Sequence, residues 1–192
     1  THPFVPDVQD EFDKRAQEIL DIQSAGLRRR MLAAKTDRLV IGLSGGLDST
    51  QALLVCLETL ASQNLDRANL LALTLPGPGT SNHTKKSVYA LSKSASITVR
   101  EIEIHVSVNQ HLKDITHEGE MDNVYENAQA RERTQILFDY ANKENAIVVG
   151  TGDLSELALG WCTFNADQMS NYNVNVGVPK TLITYLVSWY AK

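Results

Sequence analysis

A short glycine-rich segment, S-G-G-L-D-S at positions 44–49, is the clearest chemical feature of the sequence. It joins an apolar run directly to a helical pattern. Gly45 and Gly46 allow backbone N–H groups to turn toward an anion, and Ser44 and Ser49 add hydroxyl donors. The start of the following helix contributes a partial positive charge. These residues therefore predict a phosphate-binding loop.

Asp48 separates this loop from the common nucleoside-triphosphate loop, G-x-x-x-x-G-K-[ST], whose lysine is absent here. A carboxylate repels phosphate unless a divalent cation lies between them, and Mg²⁺ binds through carboxylates together with phosphate oxygens. A second carboxylate, Glu156, follows a later apolar run by a few residues. If the two strands are neighbours, Asp48 and Glu156 point into one crevice and predict a magnesium site. The alternative for Glu156 is a first-turn carboxylate that stabilises its helix by about 0.3–1 kcal/mol.

Strand-like and helical patterns alternate along the chain, which predicts an α/β fold. Three of the strand-like runs are almost entirely apolar, as expected when helices cover both faces of a parallel sheet. We therefore predict a doubly wound parallel sheet with its ligand site beyond the carboxyl ends of the strands. The predicted strands are 39–43, 70–75, 97–104 and 146–149. The predicted helices are 7–34 with Asp7 as N-cap, 48–63, 81–95, 123–144, 155–159, and a last one that opens near Pro179.

Length and composition restrict the class of protein. The chain has 192 residues, 43% of them hydrophobic, which suits a globular domain with a substantial core. No apolar run approaches the roughly 20 residues of a membrane span, and a net charge of -5 disfavours a general nucleic-acid binder. Cys56 and Cys162 predict incidental thiols and a cytoplasmic location. The chain starts at Thr1 and stops within a helical pattern, so we interpret it as a piece of a longer protein.

The S-G-G-x-D-S pattern resembles the pyrophosphate-binding loop of the N-type ATP pyrophosphatases, which cleave ATP between its α and β phosphates. Members of this superfamily activate an oxygen, and a nitrogen or sulfur nucleophile then displaces AMP. The resemblance implies a Rossmann-like fold of the adenine nucleotide alpha hydrolase-like (PP-loop) type.

The second half of the chain narrows the resemblance to one family. G-T-G-D-L-S-E-L-A-L-G-W at 150–161 and D-Q-M-S-N-Y-N-V-N-V-G-V-P-K-T-L-I at 167–183 resemble the synthetase domain of NAD⁺ synthetases, the glutamine-dependent form above all. Segments 126–142, 75–84 and 3–6 resemble the arginine helix, the loop after the second strand and the join to an upstream glutaminase domain. The resemblance implies an N-terminal linker and helix at 1–37, followed by an ATP pyrophosphatase/NAD⁺ synthetase domain at 38–192.

The activity that this resemblance implies is that of a ligase. Nicotinic acid adenine dinucleotide (NaAD) is amidated to NAD⁺ through an adenylate, with release of AMP and pyrophosphate and with ammonia from glutamine or free ammonium. The resemblance also implies Mg²⁺ as cofactor, ATP as co-substrate and a homodimer or larger homo-oligomer, with no nucleic-acid or membrane partner.

The resemblance assigns roles to individual residues. Asp48, Asp167 and Lys180 would be catalytic. Asp48 and Glu156 would hold Mg²⁺. Arg131, Arg133 and Asp167 would bind the substrate. The residues that would bind ATP are Ser44, Gly45, Gly46, Asp48, Ser49, Thr151 and Lys180.

Four positions carry constraints on these roles. Arg131 and Arg133 are two apart on a helix and cannot point the same way, so one would contact nucleotide while the other is solvated or meets a partner subunit. Lys180 stands at a helix start, where a cation is unfavourable unless an anion is present. Ala166 replaces the glycine that usually precedes the family's aspartate, and a positive φ there would displace Asp167.

Two other functions remain open from the sequence. One is another PP-loop ATP pyrophosphatase that amidates or thiolates a different acceptor, against which only the region after Gly150 argues. The other is a non-catalytic nucleotide-binding module, which has no need for the charged residues Asp48, Glu156 and Lys180 in one crevice.

Overall fold

A computed structural model describes residues 4–5, 9–78 and 80–191 of the chain. The strands are β1 (Leu39–Gly42), β2 (Leu70–Thr74), β3 (Val99–Glu101), β4 (Ile147–Gly150) and β5 (Tyr172–Asn173). The helices are α1 (Gln9–Ala34), α2 (Leu47–Ser62), α3 (Asn82–Ser94), α4 (His105–Asp114), α5 (Asn123–Glu144), α6 (Leu154–Leu159) and α7 (Lys180–Tyr190), with a 3₁₀ turn at Arg67–Asn69. Asp7, the predicted N-cap of α1, lies outside the described residues.

The strands form one parallel sheet in the order β3-β2-β1-β4-β5 within the described ranges. Leu39 of β1 pairs with Leu70 of β2 on one side and with Ile147 of β4 on the other. The direction of strand addition therefore reverses between β1 and β4. The loops after these two strands flank the crevice where parallel α/β sheets bind their ligands.

Helices cover both faces of the sheet, which confirms the predicted doubly wound arrangement. On one face α1, α2 and α3 enclose Leu39 and Ile41 of β1 in a buried cluster. On the other face α4 and α5 pack over Val40 of β1 and Val148 of β4. Alternate side chains of β1 thus enter opposite core layers, which explains why the strand is apolar at each position.

The last helix ties the N-terminal helix to the domain. Phe12 and Ala16 of α1 are buried with Leu182, Ile183 and Leu186 of α7 in a third cluster. This packing fixes the start of α7, where Lys180 stands.

Two elements were not predicted from the sequence. The α4 helix buries only Val108 and Leu112 and begins after Ile104 without a side-chain cap among the described residues, so its local signal is weak. The β5 strand has two residues and pairs through Tyr172 and Asn173 alone. The predicted strand 97–104 is shortened to Val99–Glu101 at the edge of the sheet.

Within the described part of the chain, none of the helices is long and apolar enough to span a bilayer.

Candidate active site

The glycine-rich segment forms a tight loop between β1 and α2. Gly45 has a φ of +78°, and a Cβ atom there would lie 3.0 Å from the carbonyl oxygen of Thr84. Both facts favour glycine at this position. Gly46 is the N-cap of α2 in extended conformation, and no side chain of the described residues caps the helix. The first N–H groups of α2 are therefore left for an anion.

The two serines of the loop bond within it. Ser44 Oγ accepts a hydrogen bond from the Gly46 N–H at 3.3 Å and lies 3.2 Å from Ser49 Oγ. Ser49 Oγ is also 3.1 Å from the Gly46 carbonyl oxygen, to which it can donate. The hydroxyl groups thus lie together at the start of α2, beside the N–H groups that face outward from the helix end.

Lys180 lies among three carboxylates beside this loop. Its Nζ is 2.5 Å from Asp48 Oδ2, 2.9 Å from Asp153 Oδ2 and 3.4 Å from Glu156 Oε1. Its backbone N–H donates to Ser155 Oγ at 3.2 Å. The anions that compensate a cation at the start of α7 are therefore supplied by the protein itself, from the first turn of α2 and the start of α6.

The three carboxylates, which we call the acidic cluster, have the composition of a hard-cation site. One oxygen from each of Asp48, Asp153 and Glu156 lies within 4.8 Å of the others. Asp48 Oδ1 is buried and has no hydrogen-bond partner among the described residues. Asp153 Oδ2 contacts Lys180 as an ion pair, but this contact lacks the angles of a hydrogen bond. Buried carboxylate oxygens without donors fit a divalent cation such as Mg²⁺.

Asp153 was not predicted as a site residue. It is fully buried at the N-cap of α6 and forms a capping box with Glu156. Asp153 Oδ1 accepts from the Glu156 N–H at 2.9 Å, and Glu156 Oε2 accepts from the Asp153 N–H at 3.1 Å. The D-x-x-E spacing directly after an apolar strand is the sequence signal for this motif. Glu156 therefore caps the start of α6 and also belongs to the acidic cluster.

The protonation of the cluster follows from these contacts. Burial opposes ionisation of Asp153, but the Lys180 ammonium and the backbone N–H groups of Glu156 and Ser155 outweigh it and lower the pKa of Asp153. Burial alone would lower the pKa of Lys180, yet the Asp48 and Asp153 carboxylates and the charge of Glu156 raise it. Lys180 is therefore charged while Asp153 is ionised, and the cluster with Lys180 has a formal charge of -2.

A cavity of about 570 Å³ opens beside the loop at the carboxyl ends of β1, β2 and β4. Its volume lies in the usual range for small-ligand pockets, about 300–1,000 Å³. Ser44 belongs to both the loop and the cavity wall. The other predicted site residues that line the cavity are Thr151, Arg133 and Asp167.

The two arginines of α5 point in different directions, as their spacing requires. Arg133 lines the cavity, and its Nε donates to the Leu75 carbonyl oxygen at 3.0 Å. Burial lowers the pKa of Arg133, as expected for a guanidinium partly removed from water. Arg131 is exposed, and its Nε donates to the Phe164 carbonyl oxygen at 3.2 Å. Among the described residues, Arg133 therefore lines the cavity and Arg131 does not.

Asp167 is held at the cavity by its own loop. Its Oδ1 accepts from the Thr163 N–H at 2.9 Å. In the described part of this loop the positive φ, +57°, falls on Asn165 and not on Ala166. Asn tolerates that conformation better than most residues, and Ala166 is fully buried without strain. Alanine at this position is thus compatible with the placement of Asp167.

Comparisons with known proteins identify the family of the chain. The family model described as "NAD synthase" matches residues 19–191. The chain is 45% identical over 193 residues to the glutamine-dependent NAD(+) synthetase of Mycobacterium tuberculosis (strain H37Rv), covering 97% of this chain and 28% of that protein. The chain therefore spans little more than a quarter of that relative's length.

Solved structures show the same fold. The glutamine-dependent NAD⁺ synthetase of Acinetobacter baumannii in complex with ADP superposes with a TM-score of 0.83 at 26% identity, over 91% of this chain and 32% of that one. The NMN synthetase of Francisella tularensis superposes with a TM-score of 0.83 at 25% identity, over 92% and 71%. From the match over residues 19–191 and the relative at 45% identity, the chain belongs to the NAD synthase family.

Proposed function

We propose that the protein containing this chain is an ATP-dependent ligase that amidates NaAD to NAD⁺, with ammonia from glutamine or free ammonium. The observation that carries this proposal is the position of the lysine-free phosphate loop directly beside the acidic cluster and Lys180. Membership of the NAD synthase family supports the choice of acceptor.

The reaction has two steps. A carboxylate oxygen of NaAD attacks the α phosphorus of ATP, the bond to the bridging oxygen of the β phosphate breaks, and pyrophosphate leaves. Ammonia then attacks the carbonyl carbon of the adenylate, and AMP leaves with the former carboxylate oxygen while the nitrogen loses a proton. Gly45, Gly46, Ser44 and Ser49 would donate to the departing pyrophosphate, where negative charge increases in the transition state.

Magnesium would be held by Asp48 and Glu156, with buried Asp153 as a third carboxylate in reach. When bound, Mg²⁺ neutralises charge on the phosphate oxygens. Lys180 balances the carboxylates in the structure described here, and it would share its positive charge with ATP phosphates when the nucleotide is present. We therefore assign Lys180, Asp48 and Asp167 to the catalytic set.

The cavity would hold the nucleotides. Thr151 and Arg133 line it and are proposed to contact ATP phosphate and nucleotide, while Asp167 would face the nicotinate end. Arg131 lies outside the lining, so its proposed substrate contact would be made from the rim or across a subunit interface.

The wider organisation of the protein is also a proposal. The chain spans 28% of the length of its mycobacterial relative, which supports a longer protein. In this protein a glutaminase domain would come first, residues 1–37 would form a linker and helix, and residues 38–192 would form the synthetase domain. We also propose that the protein is cytoplasmic and that it forms a homodimer or a larger homo-oligomer.

The test uses the full-length protein with ATP, Mg²⁺, ammonium and NaAD. AMP, pyrophosphate and NAD⁺ should appear in equal amounts. Nicotinic acid mononucleotide is the control acceptor, because one structural relative is an NMN synthetase. AMP formation with the mononucleotide or another acceptor but not with NaAD would contradict the proposal, and ATP binding without turnover would indicate a non-catalytic module. Asp48→Asn should abolish Mg²⁺-dependent AMP formation and keep the fold.

A further inference from the structure

Three buried amide side chains form a hydrogen-bonded network behind the acidic cluster. Gln23 belongs to α1, Gln51 to α2, and Asn175 to the loop after β5. Their exposed fractions are 7%, 2% and 0%. Burying amides is unfavourable unless their hydrogen bonds are satisfied, so a network of this kind fixes its members in one arrangement.

Asn175 bridges the two segments that border the crevice, namely the first turn of α2 and the loop after β4. Its Nδ2 donates to the Asp48 carbonyl oxygen at 2.9 Å and to the Thr151 carbonyl oxygen at 3.1 Å. Asp48 follows β1 and Thr151 follows β4. Since an amide nitrogen has two hydrogens, both donors of Asn175 are used, one on each side of the crevice.

Gln23 fixes the direction in which this amide points. Gln23 Nε2 donates to Asn175 Oδ1 at 3.2 Å and to the Val174 carbonyl oxygen at 2.8 Å. Gln51 Nε2 in turn donates to Gln23 Oε1 at 2.9 Å. Because Asn175 Oδ1 faces a donor from α1, its Nδ2 faces the two loop carbonyls.

Helix α1 also lies very close to the segment that carries Asn175. A Cβ atom on Gly26 would lie 2.2 Å from the hydroxyl oxygen of Tyr172, so a larger residue at position 26 would displace the Tyr172 side chain. Tyr172 belongs to β5, three residues before Asn175. Helix α1 therefore packs closely on Tyr172 of β5, near the segment that carries Asn175.

We infer that Asn175 is a positioning residue that holds the Asp48 and Thr151 backbones at a fixed separation. The acidic cluster and the phosphate loop thereby keep the spacing that Mg²⁺ and ATP require, and Gln23 orients the Asn175 amide. Testing this inference by enzyme activity rests on the proposed function, whereas testing it by ligand binding requires only Mg²⁺ and ATP.

The test compares three variants of the full-length protein. Asn175→Ala removes the bridge, and Gln23→Met removes the group that orients it at similar volume. Thr59→Val is the matched control, because the fully buried Thr59 hydroxyl lies farther along α2, donates to the Val55 carbonyl oxygen of its own helix at 2.7 Å and is 3.4 Å from the Ser24 carbonyl oxygen of α1. The variant therefore removes a buried hydroxyl at the contact between the same two helices, away from the acidic cluster.

For each variant we would measure the melting temperature, Mg²⁺-dependent ATP binding, and the kcat and KM of AMP formation. Asn175→Ala should weaken Mg²⁺-dependent ATP binding and lower kcat by about 10- to 100-fold, the scale of a misplacement near 1 Å. Its KM for NaAD should stay near the wild-type value. Gln23→Met should change the same quantities in the same direction but less, and Thr59→Val should lower only the melting temperature.

Wild-type binding and kcat in folded Asn175→Ala would overturn the inference, as would an equal loss of kcat in Thr59→Val at the same melting temperature. If Asn175→Ala does not fold, Gln23→Met decides by the same criteria. If the wild-type protein binds Mg²⁺ and ATP but does not convert NaAD, the proposed function fails and the binding measurements alone decide the role of Asn175.

Discussion

Replacing Lys180 by methionine should expose the repulsion within the acidic cluster. Lys180 Nζ contacts Asp48, Asp153 and Glu156, whose oxygens lie within 4.8 Å of one another. Removing one partner of a buried ion pair typically destabilises a protein by about 3–5 kcal/mol. The Lys180 side chain is 44% exposed, so water screens part of the interaction. We expect Lys180→Met to lower the free energy of unfolding by about 2 kcal/mol near neutral pH.

The pH dependence of this loss has a definite sign. The pKa of Asp153 is lowered in the folded protein, so its contribution is present above the unfolded pKa of about 3.9 and is lost as the pH falls through the folded value. The pKa of Lys180 is raised, so its contribution is present below about 10.4 and is lost as the pH rises through the folded value. The difference between wild type and variant should therefore be largest between these limits.

In the variant, burial of Asp153 acts without the opposing ammonium, and the pKa of Asp153 should rise. Lys180→Met should then recover stability relative to wild type as the pH falls through the raised pKa of Asp153, because the buried carboxyl takes up a proton. Urea unfolding at near-neutral and acidic pH measures this difference. Lys86→Met, at an exposed position of α3, is the surface control.

Magnesium supplies a second arm of the same experiment. Without Lys180 the cluster has one more net negative charge, so Mg²⁺ should stabilise the variant more than the wild type in the absence of ATP. Mg²⁺ at about 100 times its Kd would add about 2.7 kcal/mol, enough to compensate the substitution. Equal stability of the two proteins near neutral pH, with equal response to Mg²⁺, would refute the electrostatic account of the cluster.

Two further substitutions test the loop and the cavity. Gly45→Ala should destabilise the protein by about 1–2 kcal/mol because of the positive φ at this position, and contact of the new Cβ with Thr84 should add to the loss. Calorimetry should also show weaker ATP binding by this variant. Gly119→Ala, with a φ of +92° and no described atom within 4 Å of its Cβ, should show the strain and retain ATP binding. Arg133→Ala should raise the KM for nucleotide in steady-state assays about tenfold, because a charged hydrogen bond to the nucleotide is lost. Arg131→Ala should raise this KM less. A larger effect of Arg131→Ala would contradict the placement of Arg133 at the cavity.

The fold was largely predictable because its strands β1, β2 and β4 are buried on both faces. Val40 and Ile41 enter different core layers, so the apolar run in β1 needs no alternation and stands out between polar neighbours. The convergence of Asp48 and Glu156 followed from placing their strands side by side, which the β1–β4 pairing confirms. By contrast, α4 has two buried residues and no capping side chain within the described chain, so its local pattern is too weak to predict.

The parts of the site that the sequence did not reveal depend on long-range packing. The D-x-x-E capping box predicts Asp153 as an N-cap, but its contact with Lys180 depends on how α7 packs on α1 and α2. Asn175 contacts the Asp48 carbonyl across a separation of 127 residues, and no local periodicity reports such a bond. Side chains that bridge two loops have to be found in the folded structure.

Isotope transfer tests the proposed adenylate most directly. NaAD with labelled carboxylate oxygens is converted by the full-length protein with ATP, Mg²⁺ and ammonium, and the products are analysed by mass spectrometry. We expect each AMP to contain one labelled oxygen, because the carboxylate attacks the α phosphorus and its oxygen leaves with AMP. Unlabelled AMP, or label in pyrophosphate, would contradict it.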